Sequence, residues 1–232
     1  MHITRVQEGI DAVDSGGKHA TVIAIQPGTY FEQVRVPCNK TNILLRVASV
    51  EEGGTGGGEV EANAFTAEGI VFENAAGPQC GGASGQNQAV AVRVTAERAA
   101  FHQCSFLGWQ DTLYLHRGSA WFRDCRVEGS VDFIFGGPKA RGYWKGCEVA
   151  VRGRGWVTAH RRDLTQWPDD TNGAFVFDAC SVQDAPVLMH GCSIGAVVKA
   201  EGWGAWNSAT DVSRPRFLKW GCTGPRASLA HV

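Results

Sequence analysis

Apolar residues recur along this chain at two different spacings. Near the start, Val6, Ile10 and Val13 fall at i, i+4 and i+7, which predicts a short helix over residues 5–13 capped by Thr4. The pattern then changes to short strand-like runs, Thr21–Ile25 and Asn42–Val47, separated by the Pro27-Gly28 turn signal and by Pro37. Residues 51–58 are Gly-rich and predict a flexible loop. They lack the Gly-Lys-Ser/Thr ending of a phosphate cradle. From residue 101 a unit repeats: a bulky residue, two others, Cys, a further residue, then an apolar one. Its copies are Phe101/Cys104/Phe106, Phe122/Cys125/Val127, Trp144/Cys147/Val149, Phe177/Cys180/Val182 and Met189/Cys192/Ile194. The cysteines stand 21, 22, 33 and 12 residues apart. Short strands and turns repeating every 21 or 22 residues are what one coil of a parallel β-helix requires. The expectation is an all-β solenoid with a short N-terminal helix, occupying residues 1–232 as one domain.

Composition sharpens this picture in three places. Thirty glycines suit a turn-rich β protein. A formal charge of −1 gives no bulk attraction to nucleic acid or to an anionic membrane, and no apolar run reaches the roughly 20 residues that span a bilayer. The eight cysteines contain no Cys-x-x-Cys pair, so a ladder of buried free thiols is expected rather than disulfides or a metal site. The opening Met1-His2-Ile3-Thr4-Arg5 has none of the features of a secretory signal.

The coil spacing also selects the candidate chemistry. Asp111 and Asp132 are 21 residues apart, each seven residues after its cysteine, and Gln88 and Gln110 are 22 apart. Residues one coil apart lie on neighbouring strands about 4.8 Å apart with side chains on one face, so the four groups should converge. Two adjacent carboxyls resist joint ionisation, which leaves one as a proton donor and the other as an anion. Amide donors beside them can hold a developing oxyanion. A purely structural polar ladder is the alternative, and spacing does not choose the substrate.

Four ordered motifs carry a resemblance to the plant-type pectin methylesterases. They are Gly28-Thr29-Tyr30-Phe31-Glu32, Gln88-Ala89-Val90-Ala91-Val92-Arg93, Gly108-Trp109-Gln110-Asp111-Thr112-Leu113-Tyr114 and Gly129-Ser130-Val131-Asp132-Phe133-Ile134-Phe135-Gly136. The resemblance implies a right-handed parallel β-helix, methylesterified homogalacturonan (pectin) as substrate, no cofactor and no metal. It further implies a monomer in the extracellular cell wall, and leaves room for a proteinaceous inhibitor. By position, Asp132 matches the nucleophile, Asp111 the general acid/base, and Gln88 and Gln110 the residues that steady the anionic intermediate. Tyr114, Phe135 and Trp203 match aromatic positions of the sugar cleft, each with core packing as the alternative. Tyr30 and Glu32 are expected to be structural.

The chain also departs from the family pattern. The family's LGRPW motif, whose Arg contacts the nucleophile, would lie between Cys180 and Cys192, where only 12 residues separate the cysteines. Ser213-Arg214-Pro215-Arg216 lies after Trp203, out of order. Losing that cation should raise the pKa of Asp132. Arg152, Arg154, Arg161 and Arg162 are candidate substitutes, each with a solvated surface role as the more ordinary expectation. The chain also reads as shortened within about 48–65, within about 183–188 and at its C-terminal end, and His160 stands where the family often has Gln. A catalytically impaired, pectin-binding relative is the alternative to an active enzyme. A pectate lyase or polygalacturonase is disfavoured by the third and fourth motifs.

Overall fold

The computed structural model describes residues 4–47, 57–78, 87–153, 155–160, 173–182, 188–190, 192–194, 219–224 and 227. Its strands form three parallel sheets that the chain visits in turn, so that successive visits stack as coils. The first sheet has nine strands: Thr21–Ile25, Ile43–Val47, Thr66–Glu68, Ala99–His102, Gly118–Arg123, Ala140–Lys145, Ala174–Asp178, Leu188–His190 and Lys219–Trp220. The second sheet holds Val34–Val36, Gly58–Val60, Val92–Val94, Leu113–Leu115, Ile134–Gly136 and Thr158–His160. The third holds Val71–Glu73, Ser105–Leu107, Arg126–Gly129, Glu148–Val151, Ser181–Val182 and Ser193–Ile194. This is the parallel β-helix that the cysteine period predicts.

Alternation along each strand makes the core. In Ala140–Lys145 the residues Ala140, Gly142 and Trp144 are buried while Arg141, Tyr143 and Lys145 are exposed. The bulky residue of each repeat pairs with its counterpart one coil on, Phe101 with Phe122, Phe122 with Trp144 and Trp144 with Phe177. Their rings stack with centroids 5.1, 4.8 and 4.6 Å apart. A thiol ladder runs beside this column. Cys125, Cys147, Cys180 and Cys192 each donate to the backbone carbonyl of the bulky residue in the preceding copy, at 3.4–3.5 Å. Hydrogen bonding to the preceding thiol pushes Cys125, Cys147 and Cys180 up to about 12, so all three stay protonated and inert at neutral pH.

The turn into each rung has a common backbone feature. The residue before the cysteine is left-handed at Gln103, Asp124, Gly146 and Ala179. The same feature precedes Ile70 and Cys222, at Gly69 and Gly221. Two further rungs are thereby revealed, because Ala67 pairs with Phe101 and Met189 pairs with Lys219. The aromatic-plus-cysteine pattern misses them, since one has Ala and Ile in the key places and the other has Lys.

Two local expectations need correction. The helix spans Val6–Asp11, and its N-cap is Arg5, which makes no side-chain cap. Thr4 is not the cap because Glu32 takes that role: its two carboxylate oxygens accept from the backbone N–H of Val6 at 2.8 Å and Gln7 at 3.1 Å. A carboxylate on the first-turn amides satisfies the donors and suits the helix dipole. Gly58, assigned to the loop, begins a strand that pairs with Val34–Val36, and the rest of that loop, 51–56, lies outside the described residues. Leu44 pairs with Thr66 across the stretch around 48–65.

The 12-residue interval has a clear structural meaning. Ser181–Val182 in the third sheet and Leu188–His190 in the first are separated by five residues, against ten between Arg126–Gly129 and Ala140–Lys145. That coil keeps its pairings in the first and third sheets. Among the described residues, the second sheet ends at Thr158–His160 and gains no strand from it.

Tight coil corners give one direct test of the stacking. Gly118 has φ +86°, and an added Cβ there would overlap the Ala96 carbonyl. Gly118→Ala should therefore cost more than about 1 kcal/mol, seen as a lower urea midpoint with an unchanged slope.

Candidate active site

The turns that join the third sheet to the second carry the predicted residues. Gln88 forms a parallel bridge to Gln110, and Gln110 another to Val131, which sets the three turns in register. Asp111 then follows Gln110 just as Asp132 follows Val131. Both aspartates are left-handed, at φ 63° and 49°, a conformation that costs a non-glycine residue roughly 1–2 kcal/mol. Cross-coil hydrogen bonds hold them there: the Asp111 N–H donates to Val131 O at 3.1 Å, and the Asp132 N–H to Trp156 O at 2.6 Å. Within the turn, buried Thr112 donates its hydroxyl to Glu128 O at 3.1 Å. Gly129 is required opposite, because a Cβ there would strike Phe133 and the Trp109 carbonyl.

The carboxyls differ in their partners. Asp111 is only 6% exposed and accepts a hydrogen bond on Oδ2 from the Gln88 amide. Burial raises its pKa, and the Gln88 bond works against that rise. The Gln88 Nε2 has two hydrogens, so one remains for a substrate oxygen. Asp132 is half-buried, and its Oδ1 is buried without a hydrogen-bond partner among the described residues. Burial first and the Asp111 charge second push it up to about 6. The resting proton is therefore favoured on Asp132, whose anion has no bonded donor, over Asp111, whose anion has Gln88.

Three residues beyond each aspartate, the second sheet presents an aromatic pair on its outer face. Tyr114 and Phe135 occupy paired register positions and stack at 4.3 Å with 3° between their planes. The Tyr114 hydroxyl lies 2.6 Å from His116 Nδ1, and the Arg93 guanidinium sits over its ring at 5.8 Å. Arg93 also pairs with Glu59 on the next coil. Both rings are half-buried and stand outside the core cluster.

Other candidates fall elsewhere. Arg152 is directed to Glu128 at 2.5 Å and lies over the Trp109 ring at 4.8 Å, so it serves the outer side of the turn. Tyr30 donates to Gln26 O at 2.8 Å and Glu32 caps the helix, both structural as expected. His160 packs against Phe175 at the end of the core. Trp203, Arg154, Arg161, Arg162, residues 183–187 and residues 213–216 lie outside the described residues. Two contributors were missed in the sequence, Thr112 and Arg152's hold on Trp109. Thr112 lay within a quoted motif, but its bond to a carbonyl 16 residues away leaves no sequence signal.

A family model described as Pectinesterase matches residues 1–191. The chain belongs to the pectinesterase family. Pectinesterase 31 of Arabidopsis thaliana is 34% identical over 261 residues, covering 95% of this chain and 78% of that protein. That match runs over more positions than this pectinesterase-family chain has residues, so the relative holds residues inside the matched region that are missing here. The solved pectin methylesterase from carrot is 25% identical with a TM-score of 0.79, covering 97% of this chain and 80% of that one. The pectin methylesterase from Aspergillus niger, 22% identical with a TM-score of 0.81 over 97% of this chain and 83% of that one, shares the fold. Among the described residues no helix is long and apolar enough to cross a membrane, and no group of three or more His, Cys, Asp or Glu is arranged to hold a metal ion.

Proposed function

We propose that this pectinesterase hydrolyses the methyl esters of pectin in the plant cell wall, with Asp132 as nucleophile and Asp111 as acid/base. The observation that carries the reading is the stacked Asp111–Asp132 pair, flanked by two glutamine amides and by the Tyr114–Phe135 platform. Asp132 attacks the ester carbonyl carbon, and the oxyanion that forms is met by the amides of Gln88 and Gln110. The pair's single proton, which rests on Asp132, passes to Asp111 as Asp132 attacks, and the methoxy group leaves as methanol on taking it. Asp111 then takes a proton from water as that water attacks the acyl-enzyme, which frees the galacturonate carboxylate and restores Asp132. The rings of Tyr114 and Phe135 offer flat apolar surfaces to the faces of the sugar units. The chain acts as a monomer.

Purified protein incubated with highly methylated pectin should release methanol without shortening the polymer and without Ca²⁺. Polymer scission, or binding with no methanol, would overturn the reading. The Asp132 Oδ1, buried without a hydrogen-bond partner among the described residues, favours a weakened enzyme as the second reading, one that binds pectin and turns it over slowly.

The pH dependence follows from the same group. The pair must hold one proton for the leaving methoxy group, and that proton leaves Asp132 at about 6. Activity should therefore fall as pH rises through about 6, where the pair loses that proton, rather than through the usual carboxylate range near 4. A kcat profile that stays flat from about pH 5 to pH 8 would show that Asp132 does not carry the pair's proton.

A further inference from the structure

The Arg152 side chain spans three coils and converges on the turn that carries Gln110 and Asp111. Its backbone N–H donates to Gly129 O at 2.7 Å, which fixes its root beside the Asp132 turn. Its Nε lies 2.5 Å from the Glu128 carboxylate, one coil away. Its Nη1 donates to Gly108 O at 3.4 Å, and its guanidinium lies 4.8 Å from the centroid of the Trp109 ring, 43 residues back in the chain. Gly108 and Trp109 immediately precede Gln110 and Asp111. Glu128 in turn is held by Arg126 at 2.8 Å and receives the Thr112 hydroxyl on its backbone carbonyl at 3.1 Å. The strained left-handed turn at Asp111 is thus gripped at Thr112 on one side and at Gly108–Trp109 on the other. A backbone kept in a costly conformation persists only where its surroundings over-determine it.

We propose that Arg152 is a positioning residue for the Asp111 turn, acting through Trp109 and Glu128 rather than as the cation that keeps Asp132 ionised. Among the described residues its guanidinium contacts are a carboxylate, a carbonyl and an aromatic face, and none of them is to Asp132. A planar guanidinium can stack on Trp109 while its Nε bonds Glu128, and an ammonium cannot do both. The effect on activity rests on the proposed methylesterase reading, whereas the effect on the turn does not.

The test combines activity with hydrogen exchange on the full chain. Arg152→Ala should lower kcat on methylated pectin about 10-fold, with KM within about twofold and the midpoint near pH 6 unmoved, because a misplaced acid/base weakens the chemical step and not its titration. Arg152→Lys, which keeps the charge, should restore only part of the loss. Trp109→Leu should match Arg152→Ala, and the double variant should be no slower than either single one. Amides of residues 108–112 should exchange faster in both variants even if no methanol is ever released, which separates this inference from the activity assignment. Multiplying losses in the double variant, an upward shift of the pH midpoint in Arg152→Ala, or unchanged exchange at 108–112 would each overturn it.

Discussion

Asp132→Asn should reduce methanol release by at least roughly 10³-fold, because it removes the nucleophile and leaves only binding and amide stabilisation. Asp111→Asn should come close to the same loss, and the double variant should fall little further, since the two carboxyls act in one covalent cycle. The same substitution at Asp132 should stabilise the fold at neutral pH. An aspartate raised to about 6 in the folded state, above its ordinary 3.8, prefers to be neutral when folded. Above pH 6 the folded protein must hold a charge that is better solvated in the unfolded chain, and below about 4 that penalty vanishes. The neutral amide of the Asp132→Asn variant carries no such charge, so its thermal midpoint should exceed that of the parent at pH 7 and lose this advantage at pH 4. A variant that is inactive and also less stable at pH 7 would mean that Asp132 has a structural partner, and the proposed role would fail.

The second large effect lies in the core. Trp144 is fully buried, stacked between Phe122 and Phe177 and edge-on to Phe175. Trp144→Ala would open a cavity in a column that the neighbouring coils share, at a cost of about 3–5 kcal/mol. Folded domains hold a margin of only about 5–15 kcal/mol, so the urea midpoint should drop severely. Trp144→Phe should lose less. It matches the rings above and below, and the indole Nε1 it removes is buried without a partner among the described residues. Similar losses for both substitutions would show that the site has no tolerance for a smaller ring.

How far the sequence revealed this molecule depended on whether a feature repeats with the coil. Cys104, Cys125 and Cys147 expose the period because a thiol occupies the same corner on each coil, and the same period places Asp111 beside Asp132. Rungs with different side chains are invisible to that pattern, although Gly69 before Ile70 and Gly221 before Cys222 repeat the left-handed corner of the others. The helix cap was misread because Glu32 reaches Val6 across 26 residues, and a local rule could only offer Thr4. The pKa of Asp132 is raised first by burial, which only the folded geometry supplies, and second by the charge of Asp111, whose nearness follows from the 21-residue spacing. Arg152 is exposed, as the sequence suggests, and its contacts with Glu128 and Trp109 emerge only in the fold.

The 12-residue coil shows what this architecture permits. Its chain passes from the third sheet back to the first, yet both of those sheets keep their register. The three faces of the prism therefore lengthen independently, like columns of bricks that share corners but not courses. A loss on one face leaves the axial step of the others intact, so the second sheet can be shortened or extended while the first and third continue.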